Sequence, residues 1–458
     1  MIVFDHAVVV TMDPERRIIT DGAVAIDGSS IVDVGKSAAV TEAHPDASIR
    51  DVTGWVVMPG LVDGHVHLPQ AMLRGCADEI PLWRWMAERI FVLEGDFTPD
   101  DMRASSRLAI LEMLKAGTTT FLETLILGRH DPAALATTID ETGIRAVLPR
   151  AVTDGGGYLD EAPLHPGIDE DPDTAIDDAL ALARAWQHSE RIHVWFGPRS
   201  TGGASEGLLR RLVGLARDNG LGLVQHYAMT VRERRYIRDR YGCGQAEFLR
   251  RLGMLGPDVV LLHACALDAD DIAILRGTGT SVVHCPTGPA KMGSGVTPVA
   301  DLLDASVNVA LGTDGGPANN GADMLRDLKW VAYLQKLARA DPTVVTREQV
   351  LEAATIGGAR ALGLDHLIGS IEVGKRADMI VLRTDGPHWT PTLNYPSNLV
   401  YASSGADVDT VVIDGRIVME GRRMLTMDEP AVLEDARARS AALFARTGVE
   451  VPQAWPVT

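Results

Sequence analysis

Thiols are scarce in this chain of 458 residues: its four cysteines, at 76, 243, 265 and 285, lie too far apart for any CxxC pair. Neither a thiolate metal site nor a disulfide framework is indicated, and a reducing cytoplasm is the compartment that fits. Positive charge is short as well. Forty-three Lys and Arg against 62 Asp and Glu leave a formal charge of −19, whereas phosphate binding needs a clustered excess of basic residues. Nucleic acid is therefore excluded as a partner, and the acidic excess reads as a solvated surface. Also missing is any uninterrupted apolar run of the ~18 residues that a membrane span needs. The first residues, MIVFDHAVVVTMDPERR, carry acidic side chains inside the apolar run and no small-residue cleavage site, so they read as strand and turn and not as a signal peptide. With 46% hydrophobic and 23% charged residues, the composition is that of an ordinary globular protein.

What is present is a repeated alternation. Residues 1–57 carry short β-rich runs, IVFDHAVVVTM, GAVAIDGSSIVDVG and WVVM, and the pattern returns in RADMIVLRT and VVIDGRIV, where a DG turn separates two β-branched runs. Neither end alone buries a sheet face, so 1–57 and 366–430 are expected to combine into one small β-sandwich, followed by a helical tail over 431–458. Between them, over 58–365, strand-like runs alternate with helical stretches such as DMRASSRLAILEMLKAG and EGLLRRLVGLARDNG. The strand candidates are VMPGLVDGHVH, TTTFLET, RAVLPRAV, IHVWFGPR, GLVQHYAM, VVLLHAC, SVVHCPT and NVALGTDG, the eight that a (β/α)₈ TIM-like barrel needs. The fold class is thus α/β, with a long loop expected over about 153–170.

Polar residues gather where the strands end. His65, His67, His226, His263, His284 and Asp314 all fall at carboxyl ends of predicted strands, the face on which barrel active sites are built. A lone strand histidine is usually a hydrogen-bonded core or surface residue, but six such positions are not separate accidents, and imidazole and carboxylate are the usual zinc ligands. The spacing of two between His65 and His67 points both rings to one side of a strand.

In the frame VMPGLVDGHVHLPQAMLRG, followed by HYAMT, LLHACAL, VVHCPTG and LGTDGGPANN, the chain resembles the amidohydrolase superfamily. Within it, the resemblance is to the branch of adenosylhomocysteine and methylthioadenosine deaminases, guanine deaminases and triazine hydrolases. It covers nearly the whole chain. It implies that His65, His67, His226 and Asp314 ligate a divalent metal, that His263 orients and deprotonates water at the metal, and that Asp314 carries a proton to the leaving group. IHVWFGPR lacks the lysine that bridges two ions in other members, so one ion is expected: zinc, with iron, cobalt and manganese as the other candidates.

Several positions depart from the family's pattern. Met229 stands three residues after the third histidine, where the deaminases carry a glutamate, and a thioether cannot donate a proton. Glu233 is the nearby acid that could replace it, unless it is a solvated helix residue. Arg199 replaces a histidine and would suit a carbonyl oxyanion or carboxylate, or else pair structurally with an acid. His284 begins a Gly-Pro loop with altered donors, and Trp83 or Trp85, with Met229 and Met292, would soften the pocket. Glu94 lies where nucleoside deaminases hold ribose hydroxyls; its alternative is a surface position on an amphipathic segment. The resulting expectation is a metal-dependent hydrolase of a C–N bond in a small heterocycle. An aminohydrolase of a purine, pterin or triazine comes first, ahead of amide, carbamate or urea hydrolysis and of triazine dechlorination. A non-catalytic ligand-binding barrel is the remote alternative. A homo-oligomer is expected, without membrane or nucleic-acid partners.

Overall fold

A computed structural model describes residues 1–155, 164–200, 202–453 and 455. The eight expected barrel strands form in order: β1 (Leu61–His67), β2 (Thr118–Glu123), β3 (Arg145–Ala151), β4 (Ile192–Gly197), β5 (Leu223–Tyr227), β6 (Val259–His263), β7 (Ser281–His284) and β8 (Asn308–Leu311). Each pairs in parallel with the next, and the chain beyond β8 resumes at Asp314–Gly315, which pairs with Val66 and His67 of β1 and so closes the ring. Alternate strand residues face two apolar clusters: Val62, Val147, Val224, Val260 and Val283 pack with Leu362 and Ile368, while Phe121, Leu148, Phe196 and Leu261 pack among the surrounding helices.

Helices enclose the barrel as their sequences dictate. Thr98 caps Pro99–Lys115 in a capping box with Asp101, and Ser205 caps Glu206–Asn219, which Gly220 ends in the left-handed region at φ +65°. The loop expected over 153–170 lies partly outside the described residues.

Both chain ends build a second, nine-stranded, mostly antiparallel sheet. Its central contact joins Val56–Pro59 to Met379–Leu382. The DG signal is realised at Asp414 and Gly415, with φ +52° and +73°, between Val408–Ile413 and Arg416–Glu420. The run VMPGLVDGHVH, expected as one strand, is divided at Gly60 between the two sheets. A Cβ at Gly60 would lie 2.1 Å from Thr119 Oγ1, so only glycine lets the chain cross there.

Candidate active site

The carboxyl ends of β1, β5, β6 and β8 bring five side chains together. His65 Nε2 lies 3.4 Å and His67 Nε2 3.7 Å from Asp314 Oδ1, and His226 Nε2 lies 3.4 Å from His67 Nε2. The His263 ring is 4.9 Å from that of His65 and 5.4 Å from that of His226. His263 and Asp314 lie in the left-handed region, with φ of +70° and +66°, a conformation uncommon for non-glycine residues and most accessible to Asn, Asp and His.

Hydrogen bonds behind the rings decide where their lone pairs point. Thr124 Oγ1 donates to the Val66 carbonyl at 3.0 Å. Toward His65 Nδ1, 2.7 Å away, it therefore accepts, which puts the ring proton on Nδ1 and leaves Nε2 bare. The Arg199 carbonyl accepts from His226 Nδ1 at 2.9 Å with the same result. Burial lowers His65, His67 and His263 well below the ordinary imidazole range and His226 to about 4, so all four are neutral at pH 7. His65 Nε2 and both His263 nitrogens are buried without a hydrogen-bond partner among the described residues. Facing lone pairs beside a carboxylate are unfavourable alone and suit a divalent cation. Two groups have ligand atoms within 4.8 Å of one another, His65 with His67 and His226, and His65 with His263, Cys285 and Asp314. The Cys285 thiol, pushed well up by burial, is not a thiolate.

A chamber opens from this cluster. Its roof is the segment after β1, contributing Leu82, Trp85, Met86, Ile90 and Phe91, and Met229 and Met292 line its sides. Glu94, on Phe91–Gly95, is 5% exposed and accepts from Gln70 Nε2 at 2.8 Å. The solvated-surface alternative for it is thereby removed. Arg199 reaches the same wall, 3.9 Å from Glu94 Oε2 and with its guanidinium 4.7 Å from the Phe91 ring centroid. Glu233 is 1% exposed. It stands in the first turn of Val231–Tyr241 and folds back, accepting from Met229 N at 2.9 Å and Gln245 Nε2 at 3.1 Å, and burial raises its carboxyl to about 7.

Two expected substrate contacts are corrected. Trp83 is 40% exposed and does not line the chamber; in the helical turn Leu82–Trp85 it points away, and Trp85 faces in. His284 is buried behind the cluster and not in the wall. Thr297 donates to the His263 carbonyl at 2.5 Å and accepts from His284 Nδ1 at 3.0 Å, so His284 braces the backbone of β6. Sequence reasoning missed Gln70, Phe91, Thr124 and Thr297. Thr124 directly follows a recognisable strand end; the others carry no signal that separates them from ordinary loop and core residues.

Residues 56–418 match the amidohydrolase family, and residues 22–47 match the bacterial imidazolonepropionase-like composite domain. A 5-methylthioadenosine/S-adenosylhomocysteine deaminase of Desulforudis audaxviator is 37% identical over 425 residues, 92% of this chain and 95% of the relative. A 5'-deoxyadenosine deaminase of Methanosarcina acetivorans is 36% identical over 97% of this chain and 99% of its own length. Among solved structures, a zinc-bound adenosine deaminase from Xanthomonas campestris superposes with a TM-score of 0.91 at 30% identity, covering 97% of this chain and 98% of that one. An atrazine chlorohydrolase from Arthrobacter aurescens TC1 complexed with zinc gives 0.87 at 25%, covering 96% and 100%. The chain belongs to the amidohydrolase family. It is a metal-dependent hydrolase acting on C–N bonds. No helix among the described residues is long and apolar enough to cross a membrane.

Proposed function

We propose that this amidohydrolase holds one zinc ion and releases ammonia from an amino-substituted nitrogen heterocycle of purine, pterin or triazine type. The observation that carries the reading is the set of bare, inward-facing imidazole nitrogens and a carboxylate at the end of an apolar chamber with a buried acid, Glu233, on its wall. The relatives named as deaminases support it. His65, His67, His226 and Asp314 would hold the ion, and zinc is chosen because it is the metal in both neighbouring structures. When bound, such an ion acidifies water and so supplies a nucleophile at neutral pH. His263, neutral and with no hydrogen-bond partner for either ring nitrogen among the described residues, would orient the attacking water, and Asp314 would take up a proton released from that water and pass it to the departing amine. Glu233, partly protonated near neutrality, supplies the proton to the ring nitrogen that Met229 cannot. Leu82, Trp85 and Phe91 exclude bulk water above it.

Hydrolysis of an amide, carbamate or urea is the second reading. It is favoured by Met229 at the acid position and by Arg199, whose donors suit an oxyanion. A cytoplasmic homo-oligomer accompanies either: the four free cysteines support a reducing compartment, and exposed Trp330, Tyr333 and Leu337 on one helix support a subunit contact.

Metal analysis should give about one equivalent per chain, lost together with activity in His65→Ala; none, or two, refutes the scheme. Ammonia release from amino-purines, pterins and triazines, run beside anilides, carbamates and phenylureas, separates the two readings.

A further inference from the structure

Behind Asp314, on the side away from the chamber, the preceding residue uses every polar group it has. Thr313 N and Oγ1 donate to the two carboxylate oxygens of Asp63 at 3.0 and 2.6 Å, and the Thr313 carbonyl accepts from Asn319 Nδ2 at 2.9 Å. Asp63 is fully buried, and its Oδ1 also accepts from His65 N at 3.2 Å. One carboxylate on β1 therefore grips both the strand end that carries His65 and the turn that carries Asp314. An acceptor-only group suits that place, since these partners all donate. Asn319 is gripped as well: its Nδ2 also donates to Asp327 Oδ2 at 2.6 Å, and Asp327 Oδ1 accepts at 2.8 Å from Thr287 Oγ1, on the segment after β7. Asp63, Thr313, Asn319 and Asp327 are all absent from the chamber lining.

The direction of the Asp314 carboxylate depends on rotation about its N–Cα bond, measured from the peptide plane shared with Thr313. Aspartate tolerates the left-handed region, where Asp314 lies at φ +66°, without being confined to it. The turn must be held from outside. Resting on the reading of His65 and Asp314 as metal ligands, we infer that Asp63 and Asn319 are positioning residues that lock the Thr313–Asp314 peptide. Asp63 fixes Thr313 against β1, and Asn319 fixes the Thr313 carbonyl and with it that peptide plane. Together they keep the Asp314 carboxylate beside the His65 ring. Asp327, in the helix Met324–Arg339, aims the Asn319 amide. Removing any of these grips loosens the metal while leaving the substrate-facing wall intact.

The test loads the full chain with cobalt(II) and reads three quantities: the visible absorption of the metal centre, which follows its coordination geometry, the metal affinity in competition with a chelator, and the urea unfolding midpoint. Asn319→Ala and Asp327→Ala should each alter the spectrum of the folded protein and weaken metal binding about 10-fold or more. Asp327→Asn should keep both, because its amide oxygen still accepts from Asn319 and its NH₂ group donates to Thr287 Oγ1. Thr313→Val deletes only the hydroxyl bond to Asp63; it should weaken binding in the same way, and it carries the test if the alanine variants do not fold. A lowered unfolding midpoint with unchanged spectrum and affinity in Asn319→Ala overturns the inference. So do losses in Asp327→Asn equal to those in Asp327→Ala. Asp314→Ala separates the inference from the metal reading. If it changes neither spectrum nor affinity, the ligand assignment fails and the inference with it. If it changes both while the Asn319 and Thr313 variants match the wild type, the inference alone fails.

Discussion

At position 229 a thioether stands where the resemblance leads one to expect an acid, and the acid of the proposed reaction is Glu233, four residues on. Burial raises its carboxyl to about 7 from an ordinary 4.5, against the pull of N–H groups from Ala228, Met229 and Gln245 that favour the ionised form. The proton it would donate is present below that value, so activity should fall as pH rises through about 7. Glu233→Gln should lower kcat by roughly 100-fold and flatten that limb, read from pH–rate profiles of ammonia release; a variant that keeps both rate and limb places the acid elsewhere. Because the folded-state value lies above the unfolded one, the same group's contribution to stability is complete below about 4.5 and is lost as pH rises through about 7. His65 and His67 were readable from residue spacing because a strand's period of two puts them on one side. Trp83 was not, because the choice between it and Trp85 depends on how one helical turn sits on the barrel.

The elements succeed one another as the alternation of apolar runs requires, and the eight strand positions follow from it. Their close approaches do not. Gly312, in the break between β8 and Asp314, has no room for a methyl group: a Cβ there would lie 2.6 Å from His65 Cβ and 2.9 Å from its backbone nitrogen. Gly312→Ala should push β1 and β8 apart, displace His65 and weaken metal retention about tenfold or more, measured as metal per chain after dialysis against a mild chelator. A variant that keeps its full equivalent would show that β1 can shift without cost to the site. The roof segment was likewise hidden, since 68–95 reads as an unremarkable amphipathic stretch until β1 delivers it over the barrel mouth.

Across the whole molecule, barrel and end-sheet are joined by a buried ion pair. Arg145, at the start of β3, donates through Nε and Nη2 to Asp378 at 2.8 and 3.1 Å, and Asp378 also accepts from Asp414 N at 2.7 Å. The pair lies at the amino ends of the strands, opposite the site. Asp378→Ala leaves a guanidinium buried without its carboxylate and should cost about 3–5 kcal/mol in urea unfolding, while activity per folded molecule is retained. Loss of activity in the folded fraction would mean that the junction reaches the site.

Periodicity and strand-end chemistry were properties of the sequence alone: the order of strands, the six polar residues at strand ends, His284 among them, and the pairing of the two chain ends follow from local patterns, while the choice of five for the centre came from the family resemblance. Which side of the barrel mouth Glu94, Arg199 and Glu233 would reach was decided only by the tertiary structure. Those three stand on segments whose direction is set by packing against distant strands, and burial, which gives each of them its chemistry, is a property of the assembled fold.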